Sequence, residues 1–470
     1  MKILKKNQIS GPHKDLSIYI HIPFCEKICP YCDFNKYSKV DELIPDFTQS
    51  LIKEIQINSK EFKNSKIVTI SLGGGTPSYI NNEDLISVFD SIKNNYYLDD
   101  EFEFSIEINP ADLDDSKLEL YEEIGINRVS VGGQSFDNKI LKKLGRNHDS
   151  EILIKSLELL SNSYIDNINL DLIFGVPSQT LTQWENSLKM FLNFSFPHLS
   201  TYLLTFEPKT KFYKELNQRR IFEPKENEII NMFNLTTEIL NNNNYSQYEI
   251  SNWAKKDRES IHNLRYWNSE NYLGFGPGSS SHIDGRRMKN ISSLKKYIQL
   301  CKNKINPDEL YSEISTMTEE EKMIEYVMLN LRLKKGIEHE DFQRKFNDVF
   351  NLKFRDMLEE LNNNFLIKSN SKSTSLTNKG KLLSDYILAN SPKKSVYRFL
   401  FLNPCSQKTK NWDATNIELY VPTITPNIRT TKKSLKVDPP KSSIDNNTNK
   451  VVILVPRDLV IDSLIDLLMF

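Results

Sequence analysis

The chain has 470 residues, 61 of them basic and 62 acidic, and a formal net charge of −1, a balance that gives no bulk electrostatic footprint for nucleic acid or for an anionic membrane surface. Five cysteines, an odd number, and Lys-rich first residues without an apolar leader argue against a secreted disulfide framework. No uncharged apolar run approaches the ~18 residues of a membrane span, so a cytoplasmic protein with one large core and smaller attached domains is expected.

Ser17 to Ile22 is a short β-type run that leads into Cys25-Glu-Lys-Ile-Cys29-Pro-Tyr-Cys32-Asp-Phe34. A cubane [4Fe–4S] cluster has its irons a few ångströms apart, so one tight loop can ligate three of them and leave the fourth open. Cys29-Pro30 favours an extended or turn conformation that helps such a loop wrap. Zinc is the alternative, since C-x(2–4)-C pairs commonly hold it. Structural zinc takes four ligands, however, and Cys301 and Cys405 each stand alone. His21 could be a fourth ligand, although strand alternation gives it an equally good structural role.

Beyond the loop, Val40 to Phe62 repeats its apolar residues with a helical period. Strand-like runs then alternate with helices: strand 67–72, helix 82–93, strand 101–108, helix 113–124, strand 127–131, helices 138–144 and 150–161, strand 167–173, helix 181–191 and strand 199–204. Six short apolar strands alternating with helices read as βαβ units in one parallel sheet. With helices on one side only, that sheet curls into a partial (β/α)6 barrel of the TIM type. In such architectures ligands lie at the carboxyl ends of the strands. The cysteines, the Gly73-Gly-Gly-Thr-Pro77 turn, Glu107, Gln134 and Asp171 all fall there. From Phe222 the character changes: a helix at 227–240, a run of asparagines, Tyr248-Glu-Ile-Ser-Asn-Trp253, then His262-Asn-Leu-Arg-Tyr-Trp267. From Thr318 to Asn390 three helices, a β-type stretch (365–376) and a last helix suggest a small winged-helix-like domain. Glu319, Glu320, Glu321 and Glu325 crowd its first helix, which argues against nucleic acid as a partner. The expected division is 1–221 barrel, 222–317 barrel completion, 318–390 winged-helix-like domain, and 391–470 an unassigned tail with a polar linker before a strand and helix at 451–470.

Cys25-x3-Cys29-x2-Cys32, with Tyr31 before the third cysteine, resembles the signature of radical S-adenosylmethionine (SAM) enzymes. The longer string Y-I-H-I-P-F-C…C-x-Y-C-D-F is similar to the branch that contains oxygen-independent coproporphyrinogen III oxidase and its haem-chaperone relative. The resemblance covers roughly residues 17–390. It implies a [4Fe–4S] cluster on Cys25, Cys29 and Cys32 whose open iron chelates the amino and carboxylate groups of SAM, and an electron donor that drives SAM cleavage to methionine and a 5′-deoxyadenosyl radical. It also implies that Gly74, Gly75 and Thr76 meet the methionyl amino group, that Glu107, Gln134, Arg146 and Asp171 bind the cofactor, and that Tyr19 and Tyr31 lie against it. An amide, a guanidinium and acids suit adenine, carboxylate and hydroxyls. Whether one or two SAM molecules bind stays open.

Two features separate the members of the branch. The oxidase has C-x-C at the end of the cluster motif, whereas Cys32 here is followed by Asp33-Phe34. His262-Asn-Leu-Arg-Tyr-Trp267 matches the H-N-x-x-Y-W motif of the chaperone. An imidazole can ligate haem iron and aromatics can cover a porphyrin. Equally, His262 can hydrogen-bond a loop while the aromatics fill a core. The expectation is a haem chaperone with haem as cargo and haemoproteins as acceptors, including ones at a membrane surface. Coproporphyrinogen III oxidation is the alternative, and an adaptor using the cluster only as a scaffold is a third reading.

Overall fold

The computed structural model describes residues 14–303, 307–384 and 387; the linker, strand and helix expected beyond residue 391, with Cys405, lie outside the described residues. Strands β1 (Asp15–Ile22), β2 (Lys66–Gly74), β3 (Tyr97–Ile108), β4 (Arg128–Gln134), β5 (Asn167–Phe174) and β6 (His198–Leu203) are neighbours in chain order, each parallel to the next. Parallel neighbours need crossovers. These are α1 (Ile44–Phe62), α2 (Asn82–Asn95), α3 (Asp115–Ile124), the pair α4 (Asn138–Lys143) and α5 (Ser150–Ser161), and α6 (Leu181–Phe194).

Strand periodicity decides which way the sheet curls. Ile18, Ile20, Leu72, Phe104, Ile106, Val129 and Leu170 are buried in one core with Phe47, Leu51 and Leu157 of the helices. The residues between them form a polar inner face in which Thr69 Oγ1 donates to Ser17 Oγ (2.8 Å) and Ser130 Oγ to Asp171 (2.8 Å). The lumen of this partial barrel is therefore hydrogen-bonded, and apolar packing is confined to the outside.

The alternation of strands and helices did not reveal how the barrel is completed. After α7 (Lys211–Asn217) and α8 (Glu226–Asn242), short strand β8 (Asn252–Ala254) adds antiparallel to β6, and β7 (Ser246–Gln247) pairs antiparallel with β8 at the edge. Helix α9 (Ile261–Trp267) follows, and β9 (Tyr272–Phe275) then returns to pair parallel with β1. Three antiparallel strands, β10 (Ser280–Ile283), β11 (Arg286–Asn290) and β12 (Tyr311–Thr316), extend that edge. The sheet thus holds twelve strands, with β1 near its middle and its ends at β12 and β7. Helix α10 (Leu294–Lys302) packs on α1.

A second core follows. It is built by α11 (Glu319–Arg332), β13 (Ile337–Glu338), α12 (His339–Phe346), α13 (Phe350–Lys353), α14 (Arg355–Asn363), the hairpin β14 (Ile367–Ser369) and β15 (Ser373–Leu376), and α15 (Asn378–Leu382). Pairing in the order β13-β15-β14 beside these helices is a winged-helix-like arrangement. Trp267 of α9 belongs to this core, so α9 lies between barrel and C-terminal unit. Of the four acids on α11, Glu325 differs from Glu319, Glu320 and Glu321 in its surroundings. It is buried, accepts from Ser269 Oγ at 2.9 Å and from Arg287 Nε at 2.9 Å, and so ties α11 to β11.

Removing one partner of a buried pair leaves the other charge uncompensated, at ~3–5 kcal/mol. Glu325→Ala is therefore expected to lose that much stability in chemical denaturation. A loss under about 1 kcal/mol, the range of exposed pairs, would show that the Arg287 contact is not a real junction.

Candidate metal and cofactor site

The cysteine loop leaves the sheet at Ile22 and is pinched at its base. Cys25 N–H donates to Tyr37 O (2.9 Å) and Tyr37 N–H to Pro23 O (2.7 Å). Phe24, fully buried, packs edge-on to Phe47 with ring centroids 5.1 Å apart. Cys32 N–H turns back to Cys29 O at 3.3 Å, and Phe212 N–H of α7 braces Pro30 O at 2.8 Å. On the other side His21 Nε2 meets Asn35 O at 2.7 Å, and Asn35 Nδ2 reaches Pro277 O and Ser292 O in the loops after β9 and β11. All three thiols are half-buried. Burial pushes the Cys25 thiol up and the Cys32 thiol up to about 11, while Lys36 pulls both the other way. Among the described residues no group of three His, Cys, Asp or Glu side chains converges on a single-ion site. A cubane takes each thiolate at a different iron, so convergence on one point is not what it requires.

The glycine turn also has a packing role that its sequence did not show. A Cβ on Gly75 would meet Phe24 O at 2.7 Å and Ile22 O at 2.8 Å, and one on Gly74, whose φ is +110°, would meet the His21 ring at 2.5 Å. These glycines let the end of β2 close onto the root of the cysteine loop, with Gly75 N–H donating to Ile22 O at 2.8 Å. Thr76 Oγ1 then reaches Cys25 Sγ at 3.4 Å.

Three further elements supply polar groups. Arg146, after α4, donates from Nη2 to Gly132 O (2.9 Å) and Asn109 Oδ1 (3.2 Å), and from Nη1 to Cys29 Sγ (3.6 Å). Its Nε is buried without a hydrogen-bond partner, an open donor beside the cysteines. Gln134 ends β4 with φ 63°, next to a register irregularity between Val131 and Gln134. Strained, bulged backbone of this kind concentrates at functional sites. Glu107 accepts from Gly74 N–H at 3.3 Å. Burial, then the nearby Asp171 charge, pushes its carboxyl up to about 8. Asp171 is raised by burial too, and Ser130 and Asn169 donate to it at 2.8 Å each. Two lumen acids held toward their protonated forms, with an open guanidinium donor nearby, are groups that a ligand carrying both positive charge and a carboxylate would complete.

The remaining expectations divide. Tyr19 is buried under Gly73 with its hydroxyl 3.1 Å from His21 Nδ1, and Tyr31 packs on Phe212. His262 lies elsewhere. It is 2 % exposed, and its ring nitrogens meet Thr69 Oγ1 at 2.7 Å and Tyr266 OH at 2.8 Å. Burial, with Arg265 nearby, pushes the imidazole down to about 3. Glu103 accepts the amides of Ile261 (3.0 Å) and His262 (2.9 Å), so a carboxylate at its N-terminus anchors α9 against the lumen. Thr69 is four residues before Gly73, about 13 Å along the strand. His262 therefore sits at the floor of the barrel and the cysteines at its mouth. Residue patterns missed Asn109, which orients Arg146 and His148 (3.2 Å each), and Lys36, whose Nζ donates to Cys32 O. The one available signal for Asn109 was a polar residue next to Pro110 at the end of a strand.

Residues 19–191 match the Radical SAM superfamily and residues 317–383 the HemN C-terminal domain. Over 374 residues the chain is 37% identical to a Bacillus subtilis (strain 168) protein named Heme chaperone HemW, covering 79% of this chain and 97% of that protein. The chain belongs to the HemW family of radical SAM proteins. A HemW of Lactococcus lactis subsp. lactis (strain IL1403) is 34% identical over 369 residues, covering 78% of this chain and 94% of that one. Among solved structures, that of "Coproporphyrinogen III oxidase (HemN) from Escherichia coli" aligns with a TM-score of 0.71 and 24% identity over 81% of this chain and 90% of that chain, and shares the fold. No helix among the described residues is long and apolar enough to cross a membrane.

One consequence for this HemW-family lumen is measurable. A carboxyl whose folded value is about 8, against an ordinary 4.5, keeps its proton where the unfolded chain has lost it. Its contribution to stability therefore falls as pH rises between those values. Glu107→Gln is expected to unfold at higher temperature than the parent at pH 8 and above, with the gap closing toward pH 5. A gap that is independent of pH would show that Glu107 is ionised throughout.

Proposed function

We propose that this chain binds a [4Fe–4S] cluster through Cys25, Cys29 and Cys32, binds SAM beside it, and acts as a haem chaperone that takes up haem and passes it to acceptor haemoproteins. The observation that carries the reading is the near full-length match to proteins named haem chaperone, supported by Asp33-Phe34 in place of C-x-C after Cys32. The cluster's open iron would supply the chelation point for SAM's amino and carboxylate groups, with an electron donor as partner. Around it, the Glu107 and Asp171 carboxyls, both raised by burial, are groups whose ionisation a cationic ligand would favour, and Arg146 Nε offers a donor to a carboxylate. Gln134, Tyr19 and Tyr31 would flank the cofactor, and Gly74, Gly75 and Thr76 would present backbone and hydroxyl at its amino end. Residues 222–317 would complete the barrel and 318–390 form the C-terminal unit, with His262 the candidate haem ligand.

Ligation by His262 would require α9 to leave the barrel floor, because the imidazole's two hydrogen bonds and the Glu103 cap hold it there. Haem uptake is thus coupled in this reading to loosening of the junction between barrel and C-terminal unit.

The test pairs two assays on the purified full chain. Haem titration followed by absorbance should saturate at about one haem per chain, and His262→Ala should weaken that binding by tenfold or more if the imidazole ligates iron. Incubation with coproporphyrinogen III, SAM and a reductant should release no CO2. Sustained SAM-dependent CO2 release would promote the oxidase reading, and unchanged haem affinity in His262→Ala would leave His262 as the structural pin of α9.

A further inference from the structure

Each turn of the cysteine loop receives a donor from a different part of the chain. Thr76 Oγ1, just past β2, reaches Cys25 Sγ at 3.4 Å, and Arg146 Nη1, just past α4, reaches Cys29 Sγ at 3.6 Å. The third turn is served from within the loop: Lys36 Nζ donates to the carbonyl oxygen of Cys32, four residues back. That bond folds the lysine stem over the loop instead of letting it extend into solvent. Among the described residues no carboxylate pairs with Lys36 within ion-pair distance, so its charge is not neutralised locally. Thr76 and Arg146 belong to the cofactor site described above. The placement of Lys36 has no such explanation.

We infer that Lys36 is a fixed positive charge that raises the reduction potential of the cluster held by Cys25, Cys29 and Cys32, with the Thr76 and Arg146 donors acting in the same direction. The inference rests on the cluster reading proposed above. Reduction by one electron adds a negative charge to a centre already ringed by three thiolates. A nearby cation and donors to the sulfurs therefore stabilise the reduced state more than the oxidised one. The loop is half-buried, which weakens solvent screening of that charge. The electron comes from a low-potential donor protein, which is oxidised by one electron as the cluster is reduced, and no bond to Lys36 forms or breaks. Lys36 is thus a tuning residue that acts through the field at the cluster.

The experiment compares the full chain with Lys36→Gln, Lys36→Met and Lys36→Arg after anaerobic reconstitution. Iron and sulfide contents are measured first, and midpoint potentials then follow from electron paramagnetic resonance at poised potentials, with chemical mediators and without SAM. In the neutral variants the ratio of reduced to oxidised cluster at a given potential should fall at least tenfold, a downward shift of about 59 mV for one electron. Lys36→Arg should stay near the parent value. A cluster-loaded Lys36→Gln or Lys36→Met at the parent potential would overturn the inference. So would failure of both neutral variants to hold the cluster, which would make Lys36 a structural strut. Failure of the parent chain to take up iron and sulfide would instead overturn the cluster reading itself.

Discussion

The Gly75 N–H bond to Ile22 O, 2.8 Å long, closes the end of β2 over the point where β1 leaves the sheet. It can form only because neither Gly74 nor Gly75 carries a Cβ to strike the His21 ring or the backbone of residues 22–24. That closure puts the root of the cysteine loop in the middle of a twelve-stranded sheet, between β2 and β9. The middle of a sheet is where backbone position is most strongly constrained, because both edges of the strand are paired. From this root the loop is pinched by Cys25 and Tyr37 and tied through Asn35 to the segments after β9 and β11. Backbone bonds, the Phe24–Phe47 packing and the Asn35 side chain together hold the three cysteines in place, the kind of support that a preformed metal site requires.

The lumen obeys a second constraint. Its polar inner face faces away from the apolar core and is satisfied internally, by Ser17 with Thr69, Ser130 with Asp171 and Asn169 with His198 (2.6 Å). Against that background the groups that are not satisfied stand out. Glu107 holds its proton to about 8, and Arg146 Nε has no hydrogen-bond partner. Burying such groups costs stability unless a ligand completes them. At the other end the same lumen is closed by α9, whose His262 and Tyr266 complete the hydrogen bonding of the floor. At the floor both ring nitrogens of His262 are paired, whereas at the mouth the Arg146 guanidinium keeps one donor open.

Much of this was legible in the sequence. The six-strand alternation could be read because each parallel strand shows apolar residues to the helices at every second position, and the cysteine spacing because three thiols in eight residues have few other uses. The insertion of β9 beside β1 could not be read, since it is a pairing across some 250 residues that no local pattern encodes. Short α7 and α9 were hidden because neither is long enough to show a helical period. Their caps, Thr210 and Ser260, are visible only in hindsight. Nothing in the run of acids on α11 singles out Glu325, which the tertiary approach of Arg287 and Ser269 pairs and buries. The need for glycine at Gly73, Gly74 and Gly75 could not be read from local pattern either, since the side chains and backbone that leave no room for a Cβ come from His21, Glu107 and the loop root.

The account depends on one cluster at one loop. Anaerobic reconstitution of the full chain with iron and sulfide, compared with Cys29→Ser and Cys301→Ser, tests it most directly. Cys301 is buried in α10, remote in sequence from the loop. The expected result is about one four-iron cluster in the parent and in Cys301→Ser, with loss of the cluster spectrum in Cys29→Ser. A full cluster in Cys29→Ser, or its loss in Cys301→Ser alone, would contradict the assignment.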